Sequence, residues 1–83
     1  MPAVTVNSAK YNVAGSLRDQ FYNINGASAD TLTVGLNTVR MVGFELGPVT
    51  AYAVAAGSIP GTSIITFTSS GAFTNLDIEV IGN

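Results

Sequence analysis

Five carboxylates, three cationic side chains and neither histidine nor cysteine are what this 83-residue chain offers to chemistry. Nucleophilic catalysis sets a nucleophile beside a base, most often histidine. Without histidine or cysteine only a Ser–Lys arrangement survives, around Lys10 with Ser8 and Tyr11 near it in sequence. A lysine on an edge strand, where its charge discourages stray pairing, is the simpler account of Lys10. Asp77 and Glu79 stand two apart, roughly 6.5–7 Å between Cα atoms on a strand. That separation suits water activation in an inverting glycosidase. It is also what alternation places on a polar strand face, and the chain has no tryptophan to build a sugar platform. Calcium takes about six to eight oxygens, whereas Asp30, Asp77 and Glu79 are scattered and no Asp-rich loop exists. The glycines fall singly at turn positions and form neither GxGxxG nor GxxxxGK. The expectation is a non-enzyme with no cofactor and no metal.

The elements that carry these residues read as β structure throughout. Val, Ile, Thr, Tyr and Phe are frequent, turn residues recur every several positions, and no window shows a 3.6-residue stripe. Candidate strands are residues 4–7, 10–13 and 16–24, then Thr31–Val34, residues 38–46, Val49–Ala56, Ser63–Ser69 and residues 74–81. This spacing predicts an all-β fold, a small antiparallel β-sandwich or barrel of about seven short strands in one domain over residues 1–83. Residues 1–9 are a candidate arm or edge strand. Asn25-Gly26 is a turn signal, since both residues tolerate positive φ. Ser58-Ile59-Pro60-Gly61 places Pro and Gly for a type II turn. In the last strand Leu76, Ile78 and Val80 face inward and Asp77 and Glu79 outward. Residues 63–69 and 74–81, joined by Ser70-Gly71-Ala72, are expected to pair as a hairpin.

Residues 38–46 have two apolar faces, Val39, Met41, Gly43 and Glu45 against Arg40, Val42, Phe44 and Leu46. Either a bulge near Gly43 shifts the register, or one face meets the core and the other a neighbour. Val49–Ala56 sets Tyr52 and Val54 opposite a row of alanines, whose small side chains let another surface approach closely. The candidate contacts with another copy or a partner surface are therefore Met41, Val42, Phe44, Leu46, Tyr52 and Val54.

Composition bears on the same question. Only 10% of residues are charged, against roughly 25% in an average soluble protein, and residues 46–76 contain no charged side chain at all. A surface of Ser, Thr, Asn and Gly is one way to stay soluble; burial in a permanent assembly is the other, and the favoured one. A short chain buries a thin core, and with disulfides unavailable oligomerisation is the remaining staple. Three basic residues and a net charge of −2 argue against nucleic acid, which needs clustered cations. Gly and Pro interrupt the uncharged stretch before it reaches the ~20 apolar residues of a membrane span. The first residues carry neither the basic region nor the apolar run of a secretory leader, so synthesis in the cytoplasm is expected.

Residues 31–39, TLTVGLNTV, resemble the recurring DTLTxGLxxV opening of small virion proteins of tailed bacteriophages. Residues 64–82, IITFTSSGAFTNLDIEVIG, are similar to their ITFxxSGAxTNxxVxVxG segment. The resemblance covers residues 30–82 and leaves 1–29 unmatched. It implies a capsid decoration or cement protein, often trimeric, synthesised in the host cytoplasm and bound to the major capsid protein on the capsid surface of the virion. A receptor- or glycan-binding module of a phage tail or fibre is the alternative, with Tyr11, Tyr22 and Tyr52 as its available aromatics.

Overall fold

The computed structural model describes residues 3–45 and 47–83. Among these the chain forms seven strands and no helix: β1 Thr5–Ala14, β2 Leu17–Gly26, β3 Thr31–Val34, β4 Val39–Phe44, β5 Val49–Ala56, β6 Ser63–Ser69 and β7 Phe73–Gly82. All pairings are antiparallel. A four-stranded sheet runs in the order β1-β2-β7-β4 and a three-stranded sheet in the order β3-β6-β5. The two pack as a small β-sandwich, as the strand spacing predicts. Its 36 Å length is set by the ten-residue strands β1, β2 and β7, each about 34 Å of extended chain.

Alternation decides which side of each strand is buried. Leu76, Ile78 and Val80 of β7 face inward at 0–3% exposure, and Ile65 and Phe67 of β6 are wholly buried opposite them. Ile24, Leu32, Val34, Leu36 and Val49 complete most of the core, with Val39, Val42 and Phe44 packed against its side. Phe67 and Phe73 meet edge to face at 6.0 Å. One polar pair sits in these inward rows: the Tyr22 hydroxyl donates to the Gln20 side-chain oxygen, and both residues are buried. Burial, then the nearby Tyr11 hydroxyl, raises the Tyr22 phenol well above the usual tyrosine range.

Several sequence expectations are corrected. Residues 4–7 and 10–13 are not two strands. They join into β1, with a bulge between Val6 and Ser8 that interrupts the alternation without ending the pairing to β2. Asn25-Gly26 is not the turn. The chain stays extended to Gly26 and turns over residues 27–30, where Ala27 N–H donates to the Asp30 carboxylate at 2.8 Å and Asp30 N–H to the Ala27 carbonyl at 3.1 Å. Gly26 answers to packing: a Cβ there would stand 2.8 Å from the Phe73 ring. The register shift of β4 lies between Val39 and Met41 and not at Gly43. Finally, β6 and β7 are not a hairpin. Residues 70–72 carry the chain from one sheet to the other, and β7 inserts between β2 and β4. The hairpin is instead β5–β6, closed by the expected Pro60-Gly61 turn, with Thr62 N–H donating to the Ile59 carbonyl at 3.2 Å and Gly61 at φ 83°.

Candidate interaction surfaces

The strand order β1-β2-β7-β4 brings residues far apart in sequence into rows across the outer face of the four-stranded sheet. One row reads Lys10, Phe21, Glu79, Gly43. The row above it reads Ser8, Asn23, Asp77, with Glu45 reaching its end through a backbone bond to Asp77. The row below reads Asn12, Asp19, Ile81, Met41. Four of the five carboxylates, Asp19, Glu45, Asp77 and Glu79, thus share one face with Lys10. Asp77 accepts from the Asn23 amide at 2.8 Å, and its own N–H donates to the Glu45 carboxylate at 3.0 Å. Beyond them the bulge residue Asn7 donates to Asn23 and Asn25 at 2.9 and 2.8 Å, and more distantly to Asn75 at 3.3 Å. Sequence reading gave no sign of this asparagine cluster, because its members meet only through the pairing of β1, β2 and β7.

Asp19 and Glu79 lie side by side on this face. The Asp19 Oδ1 atom is buried without a hydrogen-bond partner. Two ionised carboxylates offer each other no donor, so their contact becomes a hydrogen bond only when Glu79 holds a proton. That bond, followed by desolvation and the Asp19 charge, raises the Glu79 pKa above the ordinary carboxylate value. The folded chain then binds this proton more tightly than the unfolded chain does. Its contribution to stability is present below the ordinary glutamate range and is lost as pH rises through the raised value. Lys10, Asp77 and Glu45 share the face, and salt screens their fields at an exposed group. Replacing Glu79→Gln is expected to flatten this dependence and to raise the melting temperature at pH 7 relative to the parent chain. Thermal melts between pH 4 and 7 check it; a variant less stable than the parent at pH 7 contradicts the repulsive pair.

The opposite side of the sandwich has a different character. The outer face of the three-stranded sheet consists of the rows Thr31, Thr66, Ala53 and Thr33, Ile64, Ala55, with Ala51 beside Thr68. No charged side chain stands among them. Its edge strand β5 exposes seven of its eight residues. The other edges carry the devices that discourage strand pairing: β3 is four residues long, β1 bears Lys10 and a bulge, β4 bears Arg40 and a bulge. Beyond a register shift at its start, β5 has none: no charge, no proline.

The six contact residues read from the sequence do not form one patch. Val42 and Phe44 face inward, half-buried; Tyr52 and Val54 also face inward, opposite Phe67 and Ile65, and remain 43% exposed. Phe44 and Tyr52 touch edge to face at 6.2 Å, so these four residues line the open edge where β4 lies over β5. Met41, 61% exposed, is on the outer face of the other sheet beside Ile81. Leu46 lies outside the described residues. Ala51, Ala53 and Ala55, which the sequence offers as a small-residue face, do lie on one side of β5, the outer one, beside Thr66 and Thr68 of β6. No family model, curated protein or solved structure matches the chain.

Proposed function

We propose that this chain is a structural protein of a bacteriophage virion, a decoration or cement protein that binds the major capsid protein of the assembled head as an oligomer, with a trimer favoured. The observation that carries an assembling role is the charge-free outer face of the three-stranded sheet together with the β5 edge, which bears neither charge nor proline. A monomer gains little from an exposed eight-residue edge without charge or proline, which is a template for pairing with another chain. The open edge at Val42, Phe44, Tyr52 and Val54 adds apolar area that a neighbour covers. Placement on a phage head rests on the resemblance of residues 30–82. The alternative of a glycan-binding module draws less support from the aromatics named for it, since Tyr22 is buried and Tyr11 and Tyr52 sit on different strands of different sheets.

Mixing the purified protein with undecorated heads and sedimenting them tests the reading. The protein is expected in the pellet. Ala53→Lys, an outward substitution on β5 that touches no core residue, is expected to weaken that binding by about tenfold or more, because a lysine buried without a partner costs well over the ~1.4 kcal/mol of a tenfold change. Protein left in the supernatant contradicts the assignment.

A further inference from the structure

We propose that the concavity around Phe21, on the outer face of the four-stranded sheet, is a docking site for an arginine side chain on a basic segment of a partner protein. The cavity is about 680 Å³, and its lining includes Lys10, Phe21, Gly43, Glu45, Asp77 and Glu79. Gly43 makes the room: a Cβ at that position would meet nothing within 4 Å. Phe21 stands in the middle of its row and is 39% exposed. Around it the face carries Asp19, Glu45, Asp77 and Glu79 against Lys10 alone.

The chemistry of the ligand follows from that combination. A guanidinium stacks on an aromatic face while donating in its own plane to carboxylates at the rim. Its charge offsets that of Glu45, Asp77 and Glu79, the three carboxylates among the lining residues. A neutral saccharide stacks on the ring equally well, but it desolvates the same carboxylates and returns no charge. An anion is repelled. An ammonium is a compact, strongly hydrated point charge and lacks the planar fork, which favours arginine over lysine. A metal ion is a poorer fit, since among the described residues no three acidic side chains gather closely enough to hold one. Within the molecule Arg40 is engaged with Asn83 at 3.2 Å, and Arg18 falls in the inward register of β2 with Gln20 and Tyr22. The site faces away from the uncharged sheet and stands or falls separately from the assembly reading.

The probe is a blocked Gly-Arg-Gly peptide titrated into isotope-labelled protein, with the citrulline peptide as a neutral control of the same shape. Saturable shifts are expected at the amides of Phe21, Gly43 and Glu79, with binding about tenfold weaker for citrulline. Gly43→Val fills the cavity on an extended strand, and Phe21→Ala removes the platform; each is expected to weaken arginine binding about tenfold with the rest of the spectrum unchanged. Glu79→Gln, which preserves the shape, is expected to weaken it by a few-fold. Equal binding of the two peptides, or shifts elsewhere on the molecule, overturns the proposal. Saturation of the same amides by maltotriose in place of the arginine peptide overturns it in favour of a saccharide site. A fall in native mass on Arg18→Ala in the protein alone overturns it in favour of a second copy as the occupant.

Discussion

Phe67→Ala is expected to remove about 3–5 kcal/mol of folding free energy. Phe67 is wholly buried on the inner face of the central strand of the three-stranded sheet, stacked edge to face on Phe73. Truncation leaves a void between two sheets that are each held in place by backbone pairing and cannot collapse freely. The backbone bonds at this position, Phe67 N–H to the Asp30 carbonyl and Ala29 N–H to the Phe67 carbonyl, survive the change. The loss is therefore one of packing. A domain of this length holds roughly 4–12 kcal/mol in total, so the variant sits near the limit of folding, with a melting temperature lower by about 12 °C or more. Urea denaturation measures it, and a cost under ~1 kcal/mol contradicts a core centred on Phe67.

The second large effect comes from a residue with no side chain. A Cβ on Gly82 would lie 2.0 Å from the Thr38 carbonyl oxygen and 3.0 Å from its carbonyl carbon. That carbonyl accepts from Asn83 N–H at 3.0 Å, while Asn37 and Thr38 donate back to the Asn83 carbonyl at 3.0 and 3.3 Å. The end of β7 is thus clasped to the segment that opens β4, and only glycine allows the approach. Gly82→Ala must displace backbone and is expected to cost about 2–3 kcal/mol. Gly57→Ala is the informative contrast. Its Cβ would also fall 2.0 Å from an atom, but that atom is the Thr62 hydroxyl, which can rotate away by giving up its bond to the Ile59 carbonyl; Thr62 Cβ and its carbonyl carbon, 3.0 and 3.1 Å away, must still shift, so an intermediate cost is expected. Gly43→Ala enters open space and is expected to be close to neutral. Denaturation curves for the three variants separate the cases; equal costs contradict the clasp.

The sequence carried local information well and non-local information poorly. The inward and outward sides of β7 were legible because Asp77 and Glu79 alternate with Leu76, Ile78 and Val80, and the Pro60-Gly61 turn because only glycine sits comfortably at its positive φ. The bulge at Asn7 misled, since one extra residue breaks the period of two in the same way as a loop does. The expected β6–β7 hairpin followed the usual rule that consecutive strands pair, which fails where the chain crosses between sheets. Both surfaces inherit that limit. The outer row Lys10, Phe21, Glu79, Gly43 exists only because β7 lies between β2 and β4. The charge-free character of the other face, by contrast, was foreshadowed by the absence of charge over residues 46–76.

An assembling role requires that other chains cover the uncharged face and the β5 edge. The native mass of the purified protein, taken by light scattering across a dilution series with Ala53→Lys alongside, tests it most directly. A discrete oligomer that persists at micromolar concentration and falls to a single chain in Ala53→Lys is expected. A parent protein that runs as a single chain throughout, with Ala53→Lys indistinguishable from it, contradicts burial of this face by other chains.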